Sequence, residues 1–99
     1  MSQEEADLQK VLAALRADYA KLLPQKLIDL STATQNALND PNTKNYARSL
    51  AHKLRGTAGS YGFHKLSEAA GVLEDLLRPA TFSPDEVSRA LKACLDAAT

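Results

Sequence analysis

Apolar residues recur at intervals of three and four along most of this 99-residue chain, and this spacing is typical of amphipathic helices. No segment shows the alternation of apolar and polar residues that predicts a β-strand. The chain contains neither an apolar run long enough to span a membrane nor a basic leader followed by an apolar stretch. We therefore expect an all-α cytoplasmic protein without a membrane partner.

Start and stop signals divide the chain into five helical segments. Pro24 disfavours helical geometry at Leu23, so we expect either two helices or one kinked helix there. Asp40 can cap the next helix, and Ser83 with Glu86 forms a capping box before the last one. The expected segments are approximately residues 4–23, 24–38, 42–61, 65–78 and 84–97.

The short connections between these segments predict an antiparallel four-helix bundle with an additional N-terminal helical segment, which either caps the bundle or extends its first long helix. A chain of this length forms one domain, residues 1–99. Twelve basic residues balance twelve acidic ones, which argues against nucleic acid as a partner. Cys94 is the single cysteine, and no Cys/His cluster has zinc-ligand spacing, so we expect no structural metal.

The segment AHKLRGTAGSYG, residues 51–62, places a histidine and glycines in a predicted helix. When Leu54 marks the buried stripe, His52 projects about 160° away, Gly56 about 200° and Gly59 about 140°. An interior glycine costs about 1 kcal/mol relative to alanine. We interpret Gly56 and Gly59 as clearance beside an exposed imidazole, although helix capping or close helix packing is an alternative for Gly59 and Gly62.

An exposed imidazole among cations favours phosphoryl transfer. A neutral imidazole nitrogen can attack phosphorus, and the phosphohistidine carries almost two negative charges, which Arg48, Lys53 and Arg55 could offset. A solvated surface histidine is the alternative, but it leaves Gly56 unexplained. Because the chain lacks a GxxxxGK[ST] loop, we expect no kinase or ATP-binding activity and a phosphoryl group supplied by another protein.

The longer segment AHKLRGTAGSYGFHKLSEAAGVLE, residues 51–74, resembles the signature of the histidine phosphotransfer (HPt) domain of two-component phosphorelays. In that signature, Ala-His-x-Leu-Lys-Gly is followed by Gly, Leu and Leu-Glu at fixed spacing. By this resemblance His52 is the phosphoacceptor, Arg55 stands where lysine is usual, and Gly56 lets the partner approach. The remaining motif positions are Leu54, Gly62, Leu66, Leu73 and Glu74. LLPQKLIDL, residues 22–30, also resembles the stretch that precedes this motif in the family.

The resemblance implies a four-helix bundle that accepts phosphate from the phosphoaspartate of a receiver domain and passes it to another receiver, or returns it. We expect a monomer. The receiver would belong to a response regulator or a hybrid histidine kinase and would carry the magnesium ion, so we expect no cofactor in this chain. His64 is interpreted as a loop or capping residue. Met1 and the lack of a linker tail fit a free-standing chain or an N-terminal domain.

Two other functions remain open at this point. The chain could be a non-catalytic bundle that only binds receiver domains, although His52 and Gly56 argue against a degenerate site. Its basic segment could instead bind nucleic acid, which the balanced total charge and the lack of interleaved exposed aromatic residues make a poor fit.

Overall fold

A computed structural model describes residues 2–98 and contains four α-helices and no β-strand within that range. α1 packs against α2 and α4, and α3 packs against the same two helices, so the four form a closed bundle. This confirms the predicted all-α four-helix bundle. The helices are α1 Gln3–Asn39, α2 Lys44–Ser60, α3 His64–Leu76 and α4 Pro84–Ala97, with a 3-10 turn at Pro41–Thr43 before α2. In the described part of the chain, no helix combines the length and apolar character needed to cross a membrane.

Of the two alternatives at Pro24, the structure has one helix and not two, because Pro24 lies inside the continuous helix α1. The proline ring deprives the carbonyl group of Ala20 of its helical hydrogen bond. Ala20 and Pro24 are both exposed, so water can hydrate that carbonyl. Leu23 and Leu30 are buried on either side of the proline, and their packing holds both halves of α1 against the bundle.

The predicted caps are present at two helix starts. Ser83 Oγ accepts a hydrogen bond from the backbone N–H of Glu86 at 3.3 Å, and α4 spans the predicted residues. Asp40 Oδ1 accepts from the backbone N–H of Asn42 at 3.1 Å. That contact begins the 3-10 turn, so α2 itself starts two residues later than predicted.

Lys44 satisfies the carbonyl groups that follow α3. Its Nζ donates to the backbone carbonyls of Leu77 and Arg78 at 3.1 Å each, and to that of Pro79. Unpaired carbonyls at a helix C-terminus carry partial negative charge, which a lysine stabilises. α3 ends at Leu76, before the predicted residue 78, and Lys44 joins the start of α2 to the end of α3.

Gly62 ends α2 in a left-handed backbone conformation, with φ of +85°. Its N–H donates to the carbonyl of Gly59 at 3.2 Å, and the N–H of Phe63 donates to that of Ala58 at 2.8 Å. This pair of bonds is the Schellman arrangement. Arg16 also donates to the carbonyl of Gly62 at 3.1 Å. Gly62 thus caps the C-terminus of α2. Helix capping was one of the two alternatives that the sequence offered for this glycine.

The inward faces of the four helices form one hydrophobic core. Leu54, Leu66 and Leu73, which the motif predicts to pack, are all buried there. Cys94 on α4 is also buried, and burial raises the pKa of its thiol to about 11. The core therefore coincides with the apolar periodicity of α2, α3 and α4.

The N-terminal part of the apolar stripe lies outside this core. Tyr19 is the first buried residue of α1, and its ring stacks on that of Tyr61, just after α2, with the centroids 4.6 Å apart. α1 therefore extends past the end of α2, and its earlier apolar residues have no neighbouring helix. The exposed members of the predicted stripe before Tyr19 are Leu8, Val11, Leu12 and Leu15.

Candidate functional site

His52 is exposed on α2 and hydrogen-bonded on one side of its ring. Its side chain is 71% exposed, and Nδ1 lies 2.8 Å from Oε2 of Glu74 on α3. The predicted solvent exposure of His52 is therefore confirmed. The hydrogen bond to α3 orients a ring that would otherwise rotate freely.

Glu74 is a buried carboxylate with three basic partners. Only 4% of the residue is exposed. Besides the imidazole, Nη1 of Arg55 lies 3.3 Å from Oε1, and Nη2 of Arg78 lies 3.1 Å from Oε2. A buried carboxylate is costly unless such partners satisfy it. α2 and α3 thus meet at Glu74, with His52 at the outer edge of the contact.

The electrostatics of Glu74 determine which nitrogen of His52 carries a proton. Burial by itself raises the pKa of this carboxyl, but the hydrogen bonds from His52 and Arg55 and the charge of Arg78 outweigh it and lower the pKa. An ionised carboxylate can only accept hydrogen bonds. Nδ1 of His52 therefore donates to Glu74, and the lone pair of the neutral imidazole lies on Nε2.

Gly56 leaves open space one helical turn after His52. A Cβ atom built at Gly56 has no neighbouring atom within 4 Å. Residues four apart on a helix share a face. The lack of a side chain at Gly56 therefore leaves the surface beside the imidazole of His52 open. Gly56 therefore lies beside His52 on open surface, which is the position that the interpretation as clearance for a partner predicts.

Gly59 is different, because α3 crosses α2 at this point. A Cβ atom at Gly59 would lie 3.1 Å from Oγ of Ser67 on α3. Its assignment to docking clearance is therefore corrected to close helix packing, the alternative interpretation from the sequence. A projection of residues around the axis of α2 cannot show where α3 crosses it.

Arg55 is supported by α3 as well as by Glu74. A Cβ atom at Gly71 would lie 3.2 Å from Nε of Arg55, so the glycine makes room for the arginine. Ser67 Oγ donates to the backbone carbonyl of Arg55 at 2.7 Å. Arg55 is thus the one of the three predicted cations that the fold brings to the carboxylate behind His52.

The other two predicted cations lie apart from Glu74. Lys53 is exposed and lines a small groove with Lys26 and Asp29, on the side of α2 that faces α1. Arg48 is half-buried one turn before His52. Within residues 2–98, neither Lys53 nor Arg48 forms an ion pair with another side chain.

Sequence reasoning missed two contributions to this site. It included Glu74 only as a position of the motif and treated Arg78 only as a helix-ending residue. The spacing of four between them is a readable signal for a salt bridge on one helix face. The contact of Glu74 with His52, which lies 22 residues earlier in the chain, required the packing of α3 on α2.

The fold and the site together define a class: a helical bundle that presents one oriented histidine at its surface. A family model described as "Hpt domain" matches residues 4–99, and the chain belongs to the Hpt domain family. Members of this family act in histidine phosphotransfer within two-component phosphorelays. No curated protein and no solved structure matched the chain.

Proposed function

We propose that this chain accepts a phosphoryl group on His52 from the phosphoaspartate of a receiver domain and transfers it to a second receiver, or back. The observation that carries the proposal is the pairing of an exposed imidazole with a buried carboxylate. The hydrogen bond leaves Nε2 as the free nucleophilic nitrogen, on the side away from Glu74. The proposal places this exchange in the cytoplasm.

The transfer step is a displacement at phosphorus. The Nε2 lone pair of His52 forms the N–P bond while the bond between phosphorus and the aspartyl oxygen breaks, and the aspartate leaves as a carboxylate. The ring then carries positive charge with its proton still on Nδ1. Glu74 accepts the hydrogen bond from Nδ1–H, and its negative charge stabilises the cationic ring. Return of the phosphoryl group reverses these steps.

The phosphoryl oxygens need positive charge on the solvent side of the ring. Arg55 is the best placed cation, because it shares Glu74 with His52 and its side chain is 51% exposed. We propose that Arg55 hydrogen-bonds the phosphoryl group and that Lys53 and Arg48 add long-range attraction. The magnesium ion used in the exchange belongs to the receiver.

A receiver domain carrying a radiolabelled phosphoaspartate tests the assignment. Incubation with the chain should transfer an acid-labile, base-stable label, and His52→Gln should abolish this label. The substitution should leave the helical circular dichroism unchanged, because the side chain is largely exposed. A panel of receivers from the source organism supplies the donor.

His64 offers the matched control, since it is the only other histidine of the chain and is exposed at the start of α3. His64→Gln should keep the full label. A label that persists in His52→Gln would refute the assignment. A receiver that binds the chain without transferring label would instead support the non-catalytic interaction module.

A further inference from the structure

Arg78 contacts the buried carboxylate behind His52, although it lies outside the motif and has no part in the transfer step described above. It follows the end of α3 at Leu76, and its Nη2 donates a hydrogen bond to Oε2 of Glu74 at 3.1 Å. Its side chain is 54% exposed. The carboxylate that orients the imidazole is therefore also bound by a half-exposed arginine.

Arg78 and His52 share one oxygen atom of this carboxylate. Nδ1 of His52 lies 2.8 Å from Oε2 of Glu74, which is the atom that also accepts from Arg78. Arg55 contacts the other oxygen, Oε1. The two arginines therefore differ, because Arg55 leaves Oε2 to the ring, whereas Arg78 competes with the ring for it.

The position of Arg78 is fixed by contacts on its backbone and on its side chain. Nζ of Lys44, at the start of α2, donates to the carbonyl of Arg78 at 3.1 Å. Nε of Arg78 donates to Oδ1 of Asp75 at 3.3 Å, and its backbone N–H donates to the carbonyl of Asp75 at 3.3 Å. The guanidinium thus has defined partners at both Nε and Nη2, which limits its orientations.

Charged groups surround His52 on two sides of α2. On the side of α3 lie Glu74, Asp75 and Arg78. The charged residues of α2 and of the adjoining part of α1 are Arg48, Lys53, Arg55, Lys26 and Asp29. α4 packs against α3, and its charged residues are exposed. Among the described residues, Arg55 and Arg78 are the cations in contact with the carboxylate that holds the ring.

The carboxylate has two opposing effects on a nucleophilic histidine. Nε2 attacks phosphorus through its lone pair, so a ring protonated on both nitrogens must first release the Nε2 proton to water. An ionised carboxylate close to an imidazole favours this doubly protonated, cationic form. Glu74 without other partners would therefore orient His52 and at the same time reduce the fraction of rings that can attack.

We propose that Arg78 is a positioning residue of the phosphotransfer reaction, which acts through Glu74 to keep the ring of His52 neutral and able to attack. The guanidinium occupies part of the hydrogen-bonding capacity of Oε2 and offsets part of its negative charge. Its own positive charge also disfavours a second positive charge on the nearby ring. The inference rests on the proposed function, since a nucleophilic histidine is what requires the neutral ring.

The pH profile of phosphotransfer tests this role. With one phosphorylated receiver as the donor throughout, Arg78→Gln should move the acid limb of the rate to higher pH by roughly half a unit to one unit, because a half-exposed charge is partly screened. This shift is about a three- to tenfold lower rate at a given acid pH. The alkaline plateau should not fall, because the ring is neutral there with or without Arg78. Arg78→Lys retains the charge and should restore the original acid limb.

Arg89→Gln is the matched control for the loss of one positive charge. Arg89 is exposed on α4, and within the described residues α4 does not pack against α2. Its substitution should reproduce the original profile, and circular dichroism should show all variants folded. A rate that falls equally at every pH in Arg78→Gln would overturn the proposal, because an arginine that binds the phosphoryl group or only stabilises the fold gives that result. An equal shift in Arg89→Gln would also overturn it.

A chemical probe measures the neutral ring without any receiver. Diethyl pyrocarbonate acylates an imidazole only at an unprotonated ring nitrogen, and mass spectrometry of peptides separates the product at His52 from that at His64. His64 lies at the opposite end of α3 from Arg78, so it serves as the reference within each sample. At acid pH, the ratio of His52 to His64 acylation should be about three- to tenfold lower in Arg78→Gln than in the original chain.

An unchanged acylation ratio would overturn the inference. A lowered ratio in a chain that takes no label from any receiver would support the action of Arg78 on the ring and refute the proposed function. A chain that takes the label on His52 but shows neither the lowered ratio nor the shifted acid limb would do the reverse. The two proposals therefore fail separately.

Discussion

Nδ1 of His52 on α2 lies 2.8 Å from Oε2 of Glu74 on α3. This contact sets the tautomer of the imidazole and places a buried negative charge behind the ring, which would become positive in the phosphotransfer that we propose. It also joins His52 to α3, and α2 and α3 are the helix pair that packs most extensively in the bundle. The reactivity of His52 should therefore depend on α3 as much as on α2.

Glu74→Gln should slow the acquisition of phosphate by His52 roughly tenfold or more, which is the lower end of the loss when a carboxylate behind a metal-ligating histidine is replaced. The neutral amide can still accept the hydrogen bond from Nδ1, but it lacks the negative charge that stabilises a cationic ring. The rate of label transfer from a phosphorylated receiver measures the effect. Glu68→Gln, an exposed residue on the same helix, is the control and should retain the normal rate. Equal rates in the two variants would contradict the role of Glu74.

The same carboxylate should make stability depend on acid pH. The pKa of Glu74 is lower in the folded chain than in the unfolded chain, where a glutamate titrates near 4.3. Its stabilising contribution is therefore complete above that unfolded pKa and is lost as the pH falls through the folded pKa. Urea unfolding at a series of pH values should show a shallower acid dependence in Glu74→Gln. Parallel curves for the variant and the original chain would exclude this contribution.

Gly56→Leu should slow phosphotransfer while leaving the fold intact. The new side chain enters open space one turn from His52 and obstructs a docked receiver, while leucine raises helix propensity. Transfer rate and helical circular dichroism are measured together. Ser88→Leu places the same side chain at an exposed position on α4 and should transfer normally. A normal rate in Gly56→Leu would show that clearance at this position is unnecessary.

Two identical glycine-to-alanine substitutions should have opposite effects on stability. Gly62→Ala forces alanine into the left-handed region at φ +85° and should lower the free energy of unfolding by about 1–2 kcal/mol. Gly56→Ala lies inside α2 with no neighbour within 4 Å and should raise it by up to about 1 kcal/mol. Urea unfolding of both variants gives the comparison. Changes of the same sign would contradict the assignment of one glycine to a cap and the other to open surface.

The sequence by itself determined which segments are helical and that His52 faces away from the buried side of α2. Helical periodicity and caps are local features, so Ser83 marks the start of α4 and the faces of α2 follow from residue spacing. His52 lies opposite Leu54 whatever packs against the helix. The burial of Leu54, Leu66 and Leu73 can likewise be predicted from the apolar spacing of their own helices.

The tertiary structure decided everything that depends on a second helix. Pro24 remains in a continuous helix because packing on both sides of it outweighs a lost hydrogen bond. Gly59 allows α3 to cross close to α2, and Glu74 reaches His52 only because α3 lies against α2. The apolar periodicity of α1 likewise does not show where α2 ends, so only the packed bundle distinguishes buried Tyr19 from exposed Leu12. Periodicity describes one helix, whereas burial and charge pairing are properties of two.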